Sequence, residues 1–127
     1  WNLIAQLGYT PTFPISVTIT VNSGRVVRST SPTVPAMNLT GLFAGSTIAL
    51  INNGTIHGRG GTAGAGDSGA GPTAGSQGGN AIETDGNSTL TITNGAGYIF
   101  AGGGGGGGGG RANDTVETSS GEFTPVR

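Results

Sequence analysis

Nine glycines in an unbroken run, Gly102 to Gly110, leave a chain few ways to fold. Glycine has no side chain to bury and gives up more backbone freedom on ordering than any other residue. At about 1–2 kcal/mol per residue, ordering the run costs on the order of 10 kcal/mol. A flexible tether avoids that cost. The alternative is a polyproline-II-like helix of glycine, three residues per turn, packed so closely on others of its kind that main-chain N–H···O=C and Cα–H···O=C bonds join neighbours. A second tract, 58–79, carries the matching period. Gly58, Gly61 and Gly64 recur every three residues, and after a one-residue slip Gly66, Gly69, Gly75 and Gly78 continue the rhythm. Pro72, whose fixed φ suits the same helix, fills the missing place. We therefore read Gly58, Gly61, Gly64, Gly66, Gly69, Gly75 and Gly78, with Gly102, Gly105 and Gly108 of the second tract, as the structural glycines of packed rods. Nine residues at about 3.1 Å each make a rod of about 28 Å.

Composition narrows the function classes. Glycine is 28 of 127 residues and charged residues are 9%, which fits neither an ordinary globular enzyme nor a charged disordered tail. Collagen is excluded by the slipping triplets and scarce proline. Large apolar side chains crowd into the N-terminal half and the 88–100 segment, so one copy has a thin core. Stability is then expected from main-chain bonding among rods, from self-association, or from both. A net charge of −1, with five arginines and no lysine, gives no basic stripe for a phosphate backbone, and nucleic acid is not expected as a partner. The absence of cysteine removes disulfides and thiolate metal sites. No apolar run approaches the roughly 18 residues of a membrane span, so no membrane insertion is expected. A start at Trp1, without methionine or a signal-like segment, suggests a piece of a longer protein.

Along the chain we expect a lead-in over 1–14, a β-strand region over 15–57 and a glycine-rich region with an inserted β-arc and a tail over 58–127. Asn2–Leu7 suits a short helical turn stopped by Gly8, and Tyr9 to Pro14 is stiff and non-helical. The stretch Ile15 to Val21 alternates apolar and polar residues as a half-buried strand does. With the turn Asn22-Ser23-Gly24 and a second apolar segment, Arg25 to Arg28, it predicts a hairpin. Ala36 to Leu42 suits a short strand with Met37, Leu39 and Phe43 facing inward. Segment 46–61 (STIALINNGTIHGRGG) repeats as 88–103 (STLTITNGAGYIFAGG) at an offset of 42, matching Ser46/Ser88, Thr47/Thr89, Asn52/Asn94, Gly60/Gly102 and Gly61/Gly103. An internal repeat of this kind predicts two stacked β-arcs, each feeding a glycine rod into a common layer. Thr84 to Asn87 reads as a turn, and Val116, Phe123 and Val126 could pin the polar tail to the body.

The succession ALINNGTIHGRGG, a Gly/Ser/Thr tract, a return through GNAI and then TITNGAGYIFAGGGGGGGGG resembles the glycine-rich receptor-binding tips of bacteriophage tail fibres. These include the tip modules of lambda-like central-fibre host-specificity proteins and, more distantly, the distal adhesins of T-even-type phages. The resemblance implies an all-β domain with polyglycine-II helices, a layer of packed glycine-rich helices fed by short strands and β-arcs, carried on the virion's tail-fibre tip outside the cell. It implies a bacterial cell-surface receptor as partner, an outer-membrane protein or lipopolysaccharide, a homotrimeric state like that of the central fibres, and the rest of a fibre chain upstream of Trp1. Joins between helices correspond to Asp67-Ser68, Pro72–Gln77 and Ala81–Asn87. The receptor-binding residues implied are thus Asp67, Ser68, Pro72, Thr73, Ser76, Gln77, Thr84, Asp85 and Asn87. The glycine tracts are fewer and shorter than in the T-even adhesins, so loops of the β half are expected to share the contact. A paratope of Ser, Gly, Asn and Thr is adaptable and uncharged, and a rigid mount lowers its ordering cost.

Chemical motifs point nowhere else. Gly66-Asp67-Ser68-Gly69 spells a serine-protease nucleophile signature, and His57 and Asp67 would complete a triad. The motif nevertheless lies inside a three-residue glycine rhythm without the fold that chemistry needs. Residues 64–69 satisfy GxGxxG by letter but follow no strand–helix context, and 61–67 resembles half a calcium β-roll repeat with one carboxylate. We expect no enzyme activity, cofactor or metal. His57 reads as a surface or core-edge residue, Arg59 and Arg111 as partners of free carbonyls at rod mouths, and Tyr98 and Phe100 as core. Two other functions stay open, a structural module that trimerises and assembles a fibre, and an ice-binding glycine-helix protein.

Overall fold

The alternating stretch near the N-terminus forms strand β1 (Ser16–Val21) in the computed structural model, which describes residues 1–66 and 71–109. Val17 and Ile19 are half-buried and Val21 is buried, while Ser16, Thr18 and Thr20 face solvent. The turn after it is present, with the Arg25 N–H donating to the Asn22 carbonyl at 3.0 Å and Gly24 at φ 74°. The hairpin is not. Strand β2 (Val26–Arg28) pairs in parallel with β5 (Thr55–His57), and β1 pairs in parallel with β4 (Thr47–Asn52). A hairpin would have placed both strands in one sheet. The corner at 22–25 instead lets Val21 and Val27 meet one core from two sides.

The architecture is a parallel solenoid of three coils. One side is the sheet β1-β4-β7 (β7, Thr89–Asn94) and the second is β2-β5-β8 (β8, Tyr98–Phe100). A third side pairs β3 (Met37–Asn38) with β6 (Ile82–Glu83), and an isolated bridge joins Asn2 to Asn38. The repeat at offset 42 is the pairing register itself, Thr47 against Thr89 through Asn52 against Asn94. Its two copies stack as expected, and a copy with little sequence likeness, β1 and β2, stacks before them. Mean composition gives no hint of this, because the coil repeats its inward pattern and not its letters.

Inward residues line up across coils. Ile48 and Leu50, flanked by coils on both sides, are fully buried, as are Met37, Leu39 and Ile56. Their counterpart Ile92 in the last coil is 43% exposed, because no described coil follows it. Phe43, expected inside with Met37 and Leu39, is 45% exposed. Helix α1 (Leu3–Leu7) forms where expected. The Asn2 side chain accepts from the Ala5 N–H at 2.9 Å, Gly8 at φ 75° ends the helix and Leu3 fills the core. Asn52 is the buried polar pin of the solenoid corner. Its amide donates to the Asn94 side chain at 2.8 Å and to the Tyr98 carbonyl at 3.2 Å, and its side-chain oxygen accepts from the Gly54 N–H at 3.2 Å. Such satisfaction is what allows a polar side chain at zero exposure.

The glycine-rich stretches leave the solenoid as three extended segments, 58–66 outward, 71–79 back and 102–109 outward. Their hydrogen bonds recur every third residue. Gly58, Gly61 and Gly64 donate to the carbonyls of Phe100, Gly103 and Gly106. Gly102, Gly105 and Gly108 donate to Gly79, Ser76 and Thr73, which in turn donate to Arg59, Thr62 and Ala65, all at 2.8–3.0 Å. Each segment thus bonds to the other two. The result is a three-sided bundle closed within one chain, where the sequence suggested a layer. Burial keeps the same period: Gly71 and Gly79 aside, the less exposed glycines of these segments are Gly58, Gly61, Gly64, Gly75, Gly78, Gly102, Gly105 and Gly108. A Cβ on any of these would collide with the backbone of a neighbouring segment. Gly66 does not belong to that set, since its Cβ would meet only the Gly109 carbonyl at 3.7 Å. Gly69 lies outside the described residues, as do Arg111, Val116, Phe123 and Val126.

This geometry separates glycines that look identical in sequence. Adding a methyl at Gly105 drives it into the Thr62 carbonyl, whereas nothing lies within 4 Å of one at Gly106. Gly105→Ala is expected to destabilise the fold by about 2 kcal/mol or more, as overpacking against main chain does. Gly106→Ala should be neutral or stabilising by up to about 1 kcal/mol through the unfolded state. Parallel urea melts of the two variants measure the difference, and equal effects would contradict the bundle.

Candidate functional site

The described residues expected to contact a receptor fall into two groups, one on the bundle and one on the solenoid. Pro72, Thr73, Ser76 and Gln77 lie in the returning segment, so that stretch is itself a member of the bundle and not the join expected there. Asp67 and Ser68 lie outside the described residues. Thr73 and Ser76 are used internally. The Thr73 hydroxyl accepts from the Ala65 N–H at 2.7 Å, and the Ser76 hydroxyl accepts from the Thr62 N–H at 2.7 Å and pairs with the Thr62 hydroxyl at 3.0 Å. These are side-chain braces between antiparallel segments, placed where the three-residue period brings hydroxyl and amide together. Pro72 and Gln77 are exposed. Gln77 borders a recess of about 370 Å³ that it shares with Pro32, Thr33, Asn80 and Glu83.

Thr84, Asp85 and Asn87 lie on the solenoid, between β6 and β7, and all are exposed. Asp85 organises this turn. Its carboxylate accepts from the Gly41 N–H at 2.8 Å and from the Asn87 N–H at 3.0 Å, while the Asn87 carbonyl accepts from the Gly45 N–H at 3.0 Å. The Gly41 and Asn87 amides hold the Asp85 carboxyl below its ordinary range. The turn is therefore tied to the preceding coil by a charge-assisted bond while Thr84, Asp85 and Asn87 stay exposed. The two groups approach each other at the recess of Gln77, which is also lined by Glu83, next to Thr84.

The outward face of β2-β5-β8 is the feature sequence reading missed. Tyr98 and Phe100, expected in the core, are 62% and 49% exposed. The apolar beat they flank belongs to Ile99, which faces in with Val27 and the fully buried Ile56, and strand alternation turns both aromatic rings out. The available signal was that alternation, Tyr-Ile-Phe beside Thr-Ile-His, which admits only one inward residue per strand. The rings of Tyr98 and Phe100 lie 5.8 Å apart and within 7° of parallel, and His57, exposed at the sheet surface, meets Phe100 edge-on at 6.1 Å. Arg59 is exposed at the mouth of the bundle, and its carbonyl accepts from the Gly79 N–H.

The other long sheet presents a flatter, hydroxyl-rich face. Ser16, Thr47 and Thr89 form one row across β1, β4 and β7, but Ala49 and Ile51 interrupt the next two, Thr18 to Thr91 and Thr20 to Thr93. A repeating threonine lattice for ice is thus broken in its middle strand. Among the described residues no three of His, Cys, Asp and Glu lie close enough to hold a metal ion, and no helix is long and apolar enough to cross a membrane.

Set beside known proteins, residues 1–122 match the family described as phage tail fibre adhesin Gp38. No curated protein and no solved structure matches. The family match takes in the first coil, which the sequence resemblance covered only in general character.

The Asp85 tether gives the turn a defined acid response. A carboxyl held below its unfolded value of 3.8 contributes fully above that pH and loses its contribution as pH falls through the lower folded value. Amide NMR of Gly41 and Asn87 should therefore move together in a titration below pH 3.8, and Asp85→Asn should abolish that transition. Unlinked shifts at the two amides would contradict the tether.

Proposed function

The chain belongs to the phage tail fibre adhesin Gp38 family, and we propose that it is the receptor-binding tip of the fibre, recognising an outer-membrane protein or lipopolysaccharide on the host. A role in host adhesion and a place on the virion's tail follow from membership; the nature of the receptor and the outward, extracellular site of contact are our reading. The observation that carries it is the closed glycine bundle standing on the solenoid, with bonds and inward glycines every third residue. That period supports polyglycine-II helices, whose backbone turns once in three residues. Rods of this kind hold the joining residues at their far end without side-chain packing, so loops can vary while the mount stays fixed.

In this reading Pro72 and Thr73 act at the end of the bundle, Ser76 and Gln77 along its side, and Thr84, Asp85 and Asn87 at the solenoid turn, with Asp67 and Ser68 sharing in the contact. Homotrimeric assembly on the fibre would multiply a weak contact through effective concentration. We read the chain as a binding protein and not an enzyme, because the nucleophile-like letters at 66–69 fall inside the three-residue glycine rhythm of the sequence.

Purified chain is expected to block phage adsorption to host bacteria, and to lose that effect on strains deleted for the one surface component it recognises. Exchanging 67–77 or 81–87 for the equivalent residues of another adhesin should redirect or abolish blocking with the thermal midpoint retained. Unchanged adsorption in both exchanges would favour a purely structural assembly module.

A further inference from the structure

The side-chain cations among the described residues, Arg25, Arg28 and Arg59, all lie on or directly beside the β2-β5-β8 sheet, whereas the carboxylates Glu83 and Asp85 lie on or just after β6. One side of the solenoid is therefore positive. Parallel register sets its outward side chains in two rows, Val26, Thr55 and Tyr98, then Arg28, His57 and Phe100. With strands about 4.8 Å apart, each row crosses about 10 Å, the dimension of a disaccharide.

Folding does not account for this surface. Val26, Tyr98 and Phe100 are 61%, 62% and 49% exposed, and leaving apolar area in water forgoes about 25 cal/mol per Å². A pyranose ring suits such a surface, since its C–H face lies on the outer face of one of the two stacked rings while its hydroxyls stay at the rim. The guanidinium of Arg28 shares a row with Phe100 across His57, and its planar fork matches a carboxylate or phosphate. Arg25 and Arg59, both exposed, add positive field at either side. Six outward side chains fall well short of the about 800 Å² per partner of a standard protein interface, which favours a saccharide over a protein.

We propose that this face is a second binding site, for a pyranoside bearing a carboxylate or phosphate, with the stacked pair Tyr98 and Phe100 offering an aromatic face to the sugar and Arg28 and His57 as donors to the anionic group. It is separate from the turn at 84–87, and rests on the adhesion reading only for where such a glycan is met, at the bacterial surface.

The test is an NMR titration of the whole chain with three oligosaccharides of equal length, a hexuronate, a phosphorylated hexose oligomer and a neutral glucan. At least one acidic probe is expected to shift the amides of 26–28, 55–57 and 98–100, and to bind about tenfold more tightly than the neutral one. Which acidic probe binds identifies the anionic group. Tyr98→Ala and Arg28→Gln should each weaken binding roughly fivefold at an unchanged thermal midpoint. If Tyr98→Ala alters the midpoint, Arg28→Gln decides alone. No shift at these amides, equal affinity for acidic and neutral probes, or variants that bind like the parent would overturn the site. A chain that blocks adsorption but fails this titration overturns this site alone; one that binds the acidic probe but leaves adsorption untouched overturns only the receptor-tip reading.

Discussion

The main-chain hydrogen bond between extended segments with no Cβ between them is the interaction on which the molecule depends. Gly105 donates to Ser76, Ser76 donates to Thr62, and a methyl at Gly105 would strike the Thr62 carbonyl. The same absence of side chains that makes glycine costly to order is what permits the backbones to approach and bond. One residue in three faces inward and must be glycine there, while the others are free to be Thr, Ala, Ser or Gln. This explains why the first tract is mixed and still ordered.

The bundle is a continuation of the solenoid. The Ser29 N–H donates to the His57 carbonyl, and the Gly58 N–H to the Phe100 carbonyl, at the corner where each coil ends its short strand. Beyond it, the first coil returns through the loop Ser29 to Pro35, while the second and third run on as glycine segments. Their bonds Gly58 to Phe100, Gly61 to Gly103 and Gly64 to Gly106 keep the 42-residue spacing that pairs β4 with β7. Side-by-side pairing thus passes from a period of two to a period of three without losing its partner. A thin hydrophobic core suffices because the bundle is held by its backbone and the solenoid fixes its base.

This arrangement leaves the surfaces unusually independent. The solenoid sides carry different chemistry, hydroxyls on β1-β4-β7, aromatics and arginines on β2-β5-β8, and carboxylates at β6 and its turn. The bundle end lies beyond all of them. An adhesin built in this way can change one surface without repacking another, since few side chains are shared between the core and any outer face.

Much of this was legible in the sequence. The period-three glycines, the offset-42 repeat, the strand at 15–21 and the helix stop at Gly8 are local or self-similar signals, set by backbone freedom and by alternation that a chain carries with it. The parallel pairing of β1 with β4, the third coil, the returning role of 71–79 and the outward turn of Tyr98 and Phe100 were not. Each depends on which distant segment becomes a neighbour. A turn of Asn, Ser and Gly serves a solenoid corner as well as a hairpin, and an aromatic residue beside a buried isoleucine is core or surface according to which side of the strand meets the next coil. The sequence by itself determined that glycine would be packed every third residue, because no other residue lets backbones touch; only the tertiary structure decided that three segments of one chain would close on each other, because closure needs partners brought together by the stacking of coils.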